Sequence, residues 1–148
     1  MAEKNLVDLA KKMISGELPQ PPVGQLVGFK LTAIEKGRAV IELEATTERH
    51  ANPMGTLHGG ILCDIADAAM GMAYASLLDS GESFTTLELK INFLKPIWNA
   101  KLQAIGKVVK SGRMVGLVEC DVLDEKQQLV ARASSTCMTL RDEKAQGR

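Results

Sequence analysis

Two helical patterns dominate the N-terminal half of the chain. Residues 1–16 place apolar side chains at helical spacing and stop at Gly16, so they predict a short amphipathic helix. Residues 57–78 are apolar on nearly all sides, which predicts a helix that other structure encloses. The proline-rich residues 19–24 predict a connector, and the composition of residues 48–56 predicts a loop.

Runs with the period of a strand fill most of the remaining chain. They lie at about 26–34, 38–45, 84–94, 101–110, 114–123 and 127–140. Turn residues at 110–113 and 124–126 predict that the last three runs form an antiparallel meander. This order of elements predicts an α+β fold in which a curved antiparallel sheet wraps around one long central helix. Such a sheet leaves its edges open, which favours a homo-oligomer.

Length and charge limit the classes of protein to consider. The chain has 148 residues, so we expect one domain over residues 1–148, with a core at about 22–140 and a frayed charged tail. Its 18 basic and 18 acidic side chains cancel, so no broad field attracts nucleic acid or an anionic membrane. One tryptophan, one tyrosine and three phenylalanines are too few aromatic rings for a surface that stacks on bases. Nucleic acid and membrane are therefore not expected partners.

The N-terminus and the cysteines indicate a cellular compartment. The first 20 residues lack the apolar stretch and cleavage site of a signal peptide. The longest charge-free stretch within a helical pattern, Ala68–Leu78, is far shorter than the roughly 20 residues that cross a bilayer. Cys63, Cys120 and Cys137 are odd in number and widely spaced, as expected for reduced thiols rather than a disulfide or a metal site. We expect a cytoplasmic protein with no metal and no other cofactor.

A glycine-rich loop leads into the long apolar helix and carries candidate chemistry. His58, Gly59 and Gly60 follow one another at the start of the helix, where backbone N–H groups lack partners and the helix dipole is positive. Glycines allow a ligand oxygen to approach those N–H groups, so the segment could stabilise a polarised carbonyl or an oxyanion. The alternative is structural: the glycines permit a tight loop and His58 caps the helix.

Asp64 and Asp67 are the only charged residues between His58 and Leu78. A carboxylate in an apolar helix is costly to bury, so each aspartate is either functional or part of a polar stripe that faces water or a neighbouring subunit. His58 and Asp67 are nine residues apart, which is about 13.5 Å along a helix and half a turn net. If both are catalytic, the site must be shared, with Asp67 of one subunit facing Gly59 of another.

Other catalytic arrangements are missing from the sequence. It has no GxSxG elbow, no phosphate-binding glycine loop and no HExxH metal pattern, and Cys63 has no orienting partner. The turn Lys110–Arg113, together with Lys107 and Lys95, forms a modest basic patch. Such a patch is either a solvated surface or a site for the phosphates of a nucleotide-bearing substrate.

The order of elements and the segment NPMGTLHGG (Asn52–Gly60), followed by Asp67, resemble a known family. They are similar to the hotdog-fold acyl-CoA thioesterases of the PaaI-like family, which is also called the phenylacetic acid degradation type. The resemblance covers roughly residues 22–140. It implies a thioester hydrolase without a cofactor, with active sites shared between the subunits of a dimer that commonly forms a tetramer.

The resemblance also implies roles for single residues. The N–H of Gly59 would polarise the thioester carbonyl, and His58 would orient the loop or contact the thioester. Asp67 of the partner subunit would act as nucleophile or as general base on water. Asn52 would help to place the water or the carboxylate, and Thr86 would hydrogen-bond the attacking group.

The resemblance places the substrate in two further regions. CoA would bind near Asn92–Pro96 and Lys110–Arg113, which coincides with the basic patch. The residues concerned are Asn92, Phe93, Lys95, Pro96, Lys110, Ser111, Gly112 and Arg113. The acyl pocket would be lined by Met54, Met70, Tyr74 and the flexible Met72.

The sequence therefore favours an acyl-CoA thioesterase that acts on acyl-CoA or aryl-acyl-CoA. One alternative is a hotdog hydratase or dehydratase of 3-hydroxyacyl thioesters, although that class pairs histidine and carboxylate in other motifs. Another is a non-catalytic acyl-CoA sensor, which would have no need of Asp67. The residues leave nucleophilic and general-base roles of Asp67 open, and Thr86 favours the second because it offers another anchor for water. Aryl-acetyl, benzoyl and medium-chain acyl groups all fit.

Overall fold

The structure is a computed structural model that describes residues 5–147. Four helices and six strands make up most of this part of the chain, with a short 3-10 turn at Asp142–Ala145. The helices are α1 (Leu6–Ser15), α2 (Pro22–Val27), α3 (Thr47–His50) and α4 (Gly59–Ala75). The strands are β1 (Phe29–Glu35), β2 (Arg38–Ala45), β3 (Ser83–Phe93), β4 (Ala100–Ser111), β5 (Val115–Leu123) and β6 (Leu129–Leu140).

The strands form one antiparallel sheet in the order β1-β2-β4-β5-β6-β3. After α4 the chain crosses to the far edge, where β3 pairs only with β6, and then returns to the middle as β4. Helix α4 packs across one face of this sheet and contacts strands from both halves. This arrangement is the hotdog fold, and the predicted α+β class is confirmed.

Small residues let α4 approach the sheet closely. Ala66, Ala69 and Ala73 have no exposed surface. On β4, Gly106 lies so near the helix that a Cβ atom there would be 2.3 Å from the carbonyl oxygen of Ala69. Since no side chain fits between the two backbones, the sheet has to curve around α4 rather than stand off from it.

Helix α1 begins and ends much as its sequence predicts. The Asn5 side chain accepts a hydrogen bond from the N–H of Val7 at 2.9 Å, and Gly16 ends the helix with φ of 83°. Residues 1–4 of the predicted helix and residue 148 of the predicted tail lie outside the described residues.

Two predictions about the N-terminal half are wrong in detail. The connector and the start of the first strand run through a short helix, α2, because Pro22 suits a first helical turn and Gly28 ends it with φ of 97°. The predicted loop 48–56 begins with α3, where the Thr46 side chain accepts a hydrogen bond from the N–H of Arg49 at 3.4 Å.

The long helix is shorter than predicted. The helix predicted over 57–78 is α4, Gly59–Ala75, and it ends where Ser76 donates to the carbonyl of Ala73 at 2.6 Å and accepts from the N–H of Gly37 at 2.7 Å. The tail predicted to fray starts after Arg141, which binds Glu82 at 2.6 Å, and its described part includes the exposed 3-10 turn.

Within residues 5–147, no helix is both long enough and apolar enough to cross a membrane.

Candidate active site

Backbone hydrogen bonds fix the end of the loop that leads into α4. The N–H of Leu57 donates to the carbonyl of Ile97 at 2.7 Å, and the N–H of His58 donates to the carbonyl of His50 at 2.8 Å. The His58 ring then accepts a hydrogen bond at Nδ1 from the N–H of Gly60 at 2.9 Å. His58 is therefore the N-cap of α4, and the rest of its side chain is exposed.

Gly59 is the first residue of α4 and lies directly under the ring of Phe93. A Cβ atom at Gly59 would be 2.8 Å from the ring edge, so only glycine lets the ring lie there unshifted. The first N–H groups of an α-helix have no partner within the helix. His58 accepts the hydrogen bond from the N–H of Gly60, whereas the N–H of Gly59 has no partner inside the helix. A cavity of about 420 Å³ opens beside it. Its lining includes Asn52, Thr56, Gly59, Phe93, Lys95 and Pro96.

The Asn52 side chain holds the turn of the same loop. Its Oδ1 accepts from the N–H of Met54 at 2.9 Å and from that of Thr56 at 3.2 Å. Its Nδ2 donates to the Thr56 hydroxyl at 2.9 Å. All these bonds lie within five residues, so in the protomer Asn52 shapes the loop that presents Gly59.

Asp67 lies two turns further along α4, in a different cavity. This cavity has a volume of about 200 Å³, and apolar side chains form most of its wall. Thr86 of β3 lies beside Asp67 in it and hydrogen-bonds the carboxylate. Burial raises the pKa of Asp67 above the ordinary range for aspartate, the negative charge of Asp64 adds to that rise, and the bond from Thr86 opposes it.

The structure therefore separates the two groups that the sequence pairs. Asp67 comes eight residues after Gly59 in α4, which is about 12 Å along the axis. Each group lines its own cavity, and no residue is shared between the two linings. One protomer thus carries a donor half-site at Gly59 and a carboxylate half-site at Asp67.

Comparisons with known proteins agree with this fold. A model of the thioesterase superfamily matches residues 54–131, a range that contains Gly59, Asp67 and Thr86. The chain belongs to the thioesterase superfamily.

Individual relatives carry related names. A Saccharolobus solfataricus protein named as a candidate esterase is 37% identical over 117 residues, covering 79% of this chain and 82% of the relative. The 1,4-dihydroxy-2-naphthoyl-CoA hydrolase of Listeria monocytogenes is 28% identical over 112 residues, covering 76% of this chain and 90% of that one. The solved structure of Escherichia coli PaaI, from the phenylacetic acid degradation operon, has a TM-score of 0.78 at 22% identity and covers 91% of this chain and 96% of that one. PaaI thus shares the fold.

Two further groups on α4 of this thioesterase-superfamily chain have altered acidity. Burial raises the pKa of Asp64, and the nearby His58 partly offsets the rise. Burial also raises the pKa of the Cys63 thiol, with Asp64 and Asp67 adding to the effect. Cys63 therefore stays protonated at neutral pH, and a thiolate nucleophile is not supported here.

The residues expected to bind CoA lie in two places. Phe93 of β3 pairs with Ala131 of β6. On the other side of β6, Cys137 pairs with Gly116 of β5, and Gly116 in turn pairs with Ser111 of β4. Six residues of β6 separate these positions, which is about 20 Å along a strand. In one protomer, Asn92–Pro96 and Lys110–Arg113 therefore do not form a single surface.

The basic patch predicted around Lys95 is wrong in one respect. The Lys95 ammonium forms an ion pair with Asp124 and a hydrogen bond with Gln128, and Asp124 has only 4% of its side chain exposed. Lys95 also lowers the pKa of Asp124. It is therefore a fixed structural cation, distant from Lys110 and Arg113, which are both exposed.

The residues predicted to line the acyl pocket do not lie together in the chain. Met70 and Tyr74 have no exposed surface and lie in the core, and the Tyr74 hydroxyl hydrogen-bonds Thr139 at 2.8 Å. Met54 is 84% exposed in its loop. The face of α4 that borders the carboxylate cavity instead carries Ala68, Gly71 and Met72 beside Asp67. Only Met72 of the predicted set lies there.

Sequence reasoning missed two residues that shape these half-sites. Asp124 holds Lys95 and with it the segment that lines the Gly59 cavity, although 29 residues separate the two. Gln20 lines the Asp67 cavity from the N-terminal segment. Neither lies in a recognisable motif, so only tertiary contacts reveal them. No group of three or more histidine, cysteine, aspartate or glutamate side chains within residues 5–147 is placed to hold a metal ion.

The capping role of His58 predicts a stability difference between two variants. His58→Ala removes the acceptor for the N–H of Gly60, so the free energy of unfolding should fall by about 1 kcal/mol. His58→Asn supplies a side-chain oxygen at the same position and should retain most of it. Urea unfolding of the three proteins measures this. Equal losses in both variants would show that the ring does not act as a helix cap.

Proposed function

We propose that the protein is an acyl-CoA thioesterase that hydrolyses the thioester to a free acid and CoA. The observation that carries this is the pair of half-sites on α4: an N–H donor at Gly59 and a carboxylate at Asp67 that Thr86 holds in an apolar cavity. Thioester hydrolysis needs one group of each kind, a donor for the developing oxyanion and a base or nucleophile. The name of the Listeria relative supports a CoA thioester as substrate.

The open edge of the sheet supports a homodimer with shared sites. β3 pairs with β6 on one side, and within residues 5–147 no strand covers its other side. That edge carries apolar side chains at large exposure: Leu87 at 53%, Phe93 at 55% and Leu94 at 56%. Unpaired strand edges with apolar side chains are costly in water, so a second copy of the chain would cover them.

Pairing through β3 would also bring the two half-sites together. Thr86 lies beside Asp67 near one end of β3, and Phe93 lies against Gly59 at the other end. In an antiparallel pair of β3 strands, the early part of one strand faces the late part of the other. The carboxylate half-site of one protomer would then face the donor half-site of its partner. A tetramer would be two such dimers.

The chemistry then divides between the two subunits. The N–H of Gly59 would donate to the thioester oxygen as negative charge develops on it. Asp67 of the partner subunit would accept a proton from water while the water oxygen bonds to the carbonyl carbon. The carbon–sulfur bond then breaks, and the CoA thiolate leaves and takes up the proton. Thr86 would anchor the water or the carboxylate, which favours this route over an anhydride with Asp67.

The two stretches expected to bind CoA, Asn92–Pro96 and Lys110–Arg113, also lie apart within one protomer. A site shared between two subunits would therefore suit CoA binding as well. The exposed Lys110 and Arg113 would supply the charge for the CoA phosphates. Asn92, Phe93 and Pro96 would contact CoA near Gly59, with Lys95 fixing their segment through Asp124.

Removal of the carboxylate is the direct test of this function. Asp67→Asn keeps the size of the side chain but removes the base, so thiol release from acyl-CoAs should fall at least about 10²-fold, roughly 2.7 kcal/mol of barrier. The assay uses a panel of aryl and straight-chain acyl-CoAs with both proteins side by side. Asp79→Asn, an exposed aspartate after α4, is the matched control and should keep full activity.

Folded wild-type protein that releases no thiol from any acyl-CoA would overturn the hydrolase proposal. An Asp67→Asn variant as active as wild type would leave hydrolysis in place and remove Asp67 from the chemistry.

Thr86 provides a test through the pH dependence. Asp67 acts ionised, so kcat/KM falls on the acidic side as pH drops through the pKa of Asp67. The Thr86 hydroxyl lowers that pKa. Thr86→Val removes this contribution, so the pKa rises further and the acidic limb of the profile moves to higher pH. Thr85→Val, on the neighbouring residue outside the cavity, should leave the limb in place. A limb that stays put or moves to lower pH in Thr86→Val would contradict the assigned contact.

A further inference from the structure

The cavity that holds Asp67 is partly built from the N-terminal segment of the chain, residues 6–27. Met13 of α1, Val23 of α2 and the connecting Gln20 and Pro21 line it opposite α4. All four lie outside residues 54–131, the part that matches the superfamily model. The catalytic groups thus come from the shared part of the chain, and one wall of the cavity comes from a part that the family model does not describe.

This wall is fastened to the sheet rather than loosely apposed. The Gln20 side chain donates through Nε2 to the carbonyl of Met13 at 3.3 Å and accepts at Oε1 from the N–H of Leu31 at 3.0 Å. Ala10 anchors α1 in the core with no exposed surface. Since both ends of the Gln20 amide are used, the segment forms one wall of the cavity at a fixed place.

The chemistry of the lining suits the tail of an acyl group. Apart from Asp67, Thr86 and the fully engaged Gln20, the wall is apolar. It consists of Met13, Pro21, Val23, Phe29, Leu31, Ile41, Ala68, Gly71, Met72 and Phe84. An acyl group whose carbonyl carbon lies within reach of Asp67 would therefore extend into an apolar space that ends at α1 and α2.

The volume of that space limits the acyl group. It holds about 200 Å³. A water-sized group takes about 30 Å³ in the liquid, and a methylene or aromatic CH is of similar size, so the cavity has room for roughly six or seven such groups. One aromatic ring fits, and so does a straight-chain acyl group with six or seven carbons beyond its carbonyl, which is an acyl chain of up to about eight carbons. A chain of about sixteen carbons does not.

We propose that the N-terminal segment, held on β1 by Gln20, is the end wall of the acyl cavity and limits the substrate to compact acyl groups of this size. The proposal rests on the proposed function, because it takes Asp67 to lie at the reacting carbon. It assigns the choice of acyl group to Met13 and Val23, whereas the reaction depends on residues of α4 and β3.

Two opposite substitutions in the wall test the proposal. Met13→Ala removes three non-hydrogen atoms from the wall, and Val23→Phe adds bulk at a residue that is 50% exposed. The measured quantity is kcat/KM for butanoyl-, hexanoyl-, octanoyl-, dodecanoyl-, hexadecanoyl- and phenylacetyl-CoA. Wild type should lose at least about tenfold from octanoyl to dodecanoyl. Met13→Ala should move the best chain length up by about two carbons and Val23→Phe should move it down, as expected from the size of the groups.

Ile14→Ala is the matched control, since Ile14 is the next residue of α1 and lies outside the lining. It should leave the ranking of substrates unchanged. Melting curves of all variants establish whether each is folded. If Met13→Ala does not fold, Val23→Phe still tests the proposal. A ranking that is the same in wild type and both wall variants, or a wild type that prefers hexadecanoyl-CoA, would overturn the proposal.

A second readout separates this proposal from the proposed function. S-alkyl-CoA thioethers carry the same chains but have no carbonyl to hydrolyse, and calorimetry gives their affinities. If no acyl-CoA is hydrolysed, yet thioether affinity peaks near eight carbons and shifts in the two wall variants, the cavity assignment holds and the hydrolase proposal falls. Thioether affinity that ignores both chain length and the wall variants would overturn the cavity assignment itself.

Discussion

An α-helix rises about 1.5 Å per residue, and this fixed rise governs the site on α4. Gly59 starts the helix and Asp67 lies eight residues later, so the donor and the carboxylate cannot reach one small reacting carbon in the same protomer. They line separate cavities. The β3 edge carries Thr86 near one end and Phe93 at the other, and in the proposed dimer a second copy of the chain at this edge would complete both half-sites. On this account, the fold needs its partner for chemistry as well as for covering the edge.

The energetics of α4 fit such a shared role. Most of its surface is apolar and lies against the sheet, and alanines and Gly106 allow that close packing. Asp67 is an exception: burial raises its pKa, so its ionised form is less stable in the folded chain than in water. A carboxylate retained at that cost, with a threonine positioned to offset part of it, is typical of a functional group rather than a structural one.

Much of the fold follows from the sequence, because strand and helix periods are local properties. The order of elements, the meander of the last three strands and the break at Gly16 were all predictable. The side of α4 that faces the cavity was not. That helix is apolar all round, so its pattern does not distinguish Met70 and Tyr74, which lie in the core, from Met72, which lies in the cavity. The ion pair of Lys95 with Asp124 was equally hidden, since it joins distant parts of the chain.

A subunit-mixing experiment tests the shared site most directly. Gly59→Pro removes the N–H while proline suits the first position of a helix, and His58 before it is already extended, with ψ of 131°. Asp67→Asn removes the carboxylate. Each pure variant should be inactive. Gly59→Ala keeps the N–H and places the same Cβ atom against the Phe93 ring, so it controls for the displacement of that ring and should stay clearly more active than Gly59→Pro. When the two inactive variants are unfolded, mixed in equal amounts and refolded, half of the dimers should be mixed. Each mixed dimer would contain one intact site, so roughly a quarter of wild-type activity should return. A mixture as inactive as its two components would contradict the shared site.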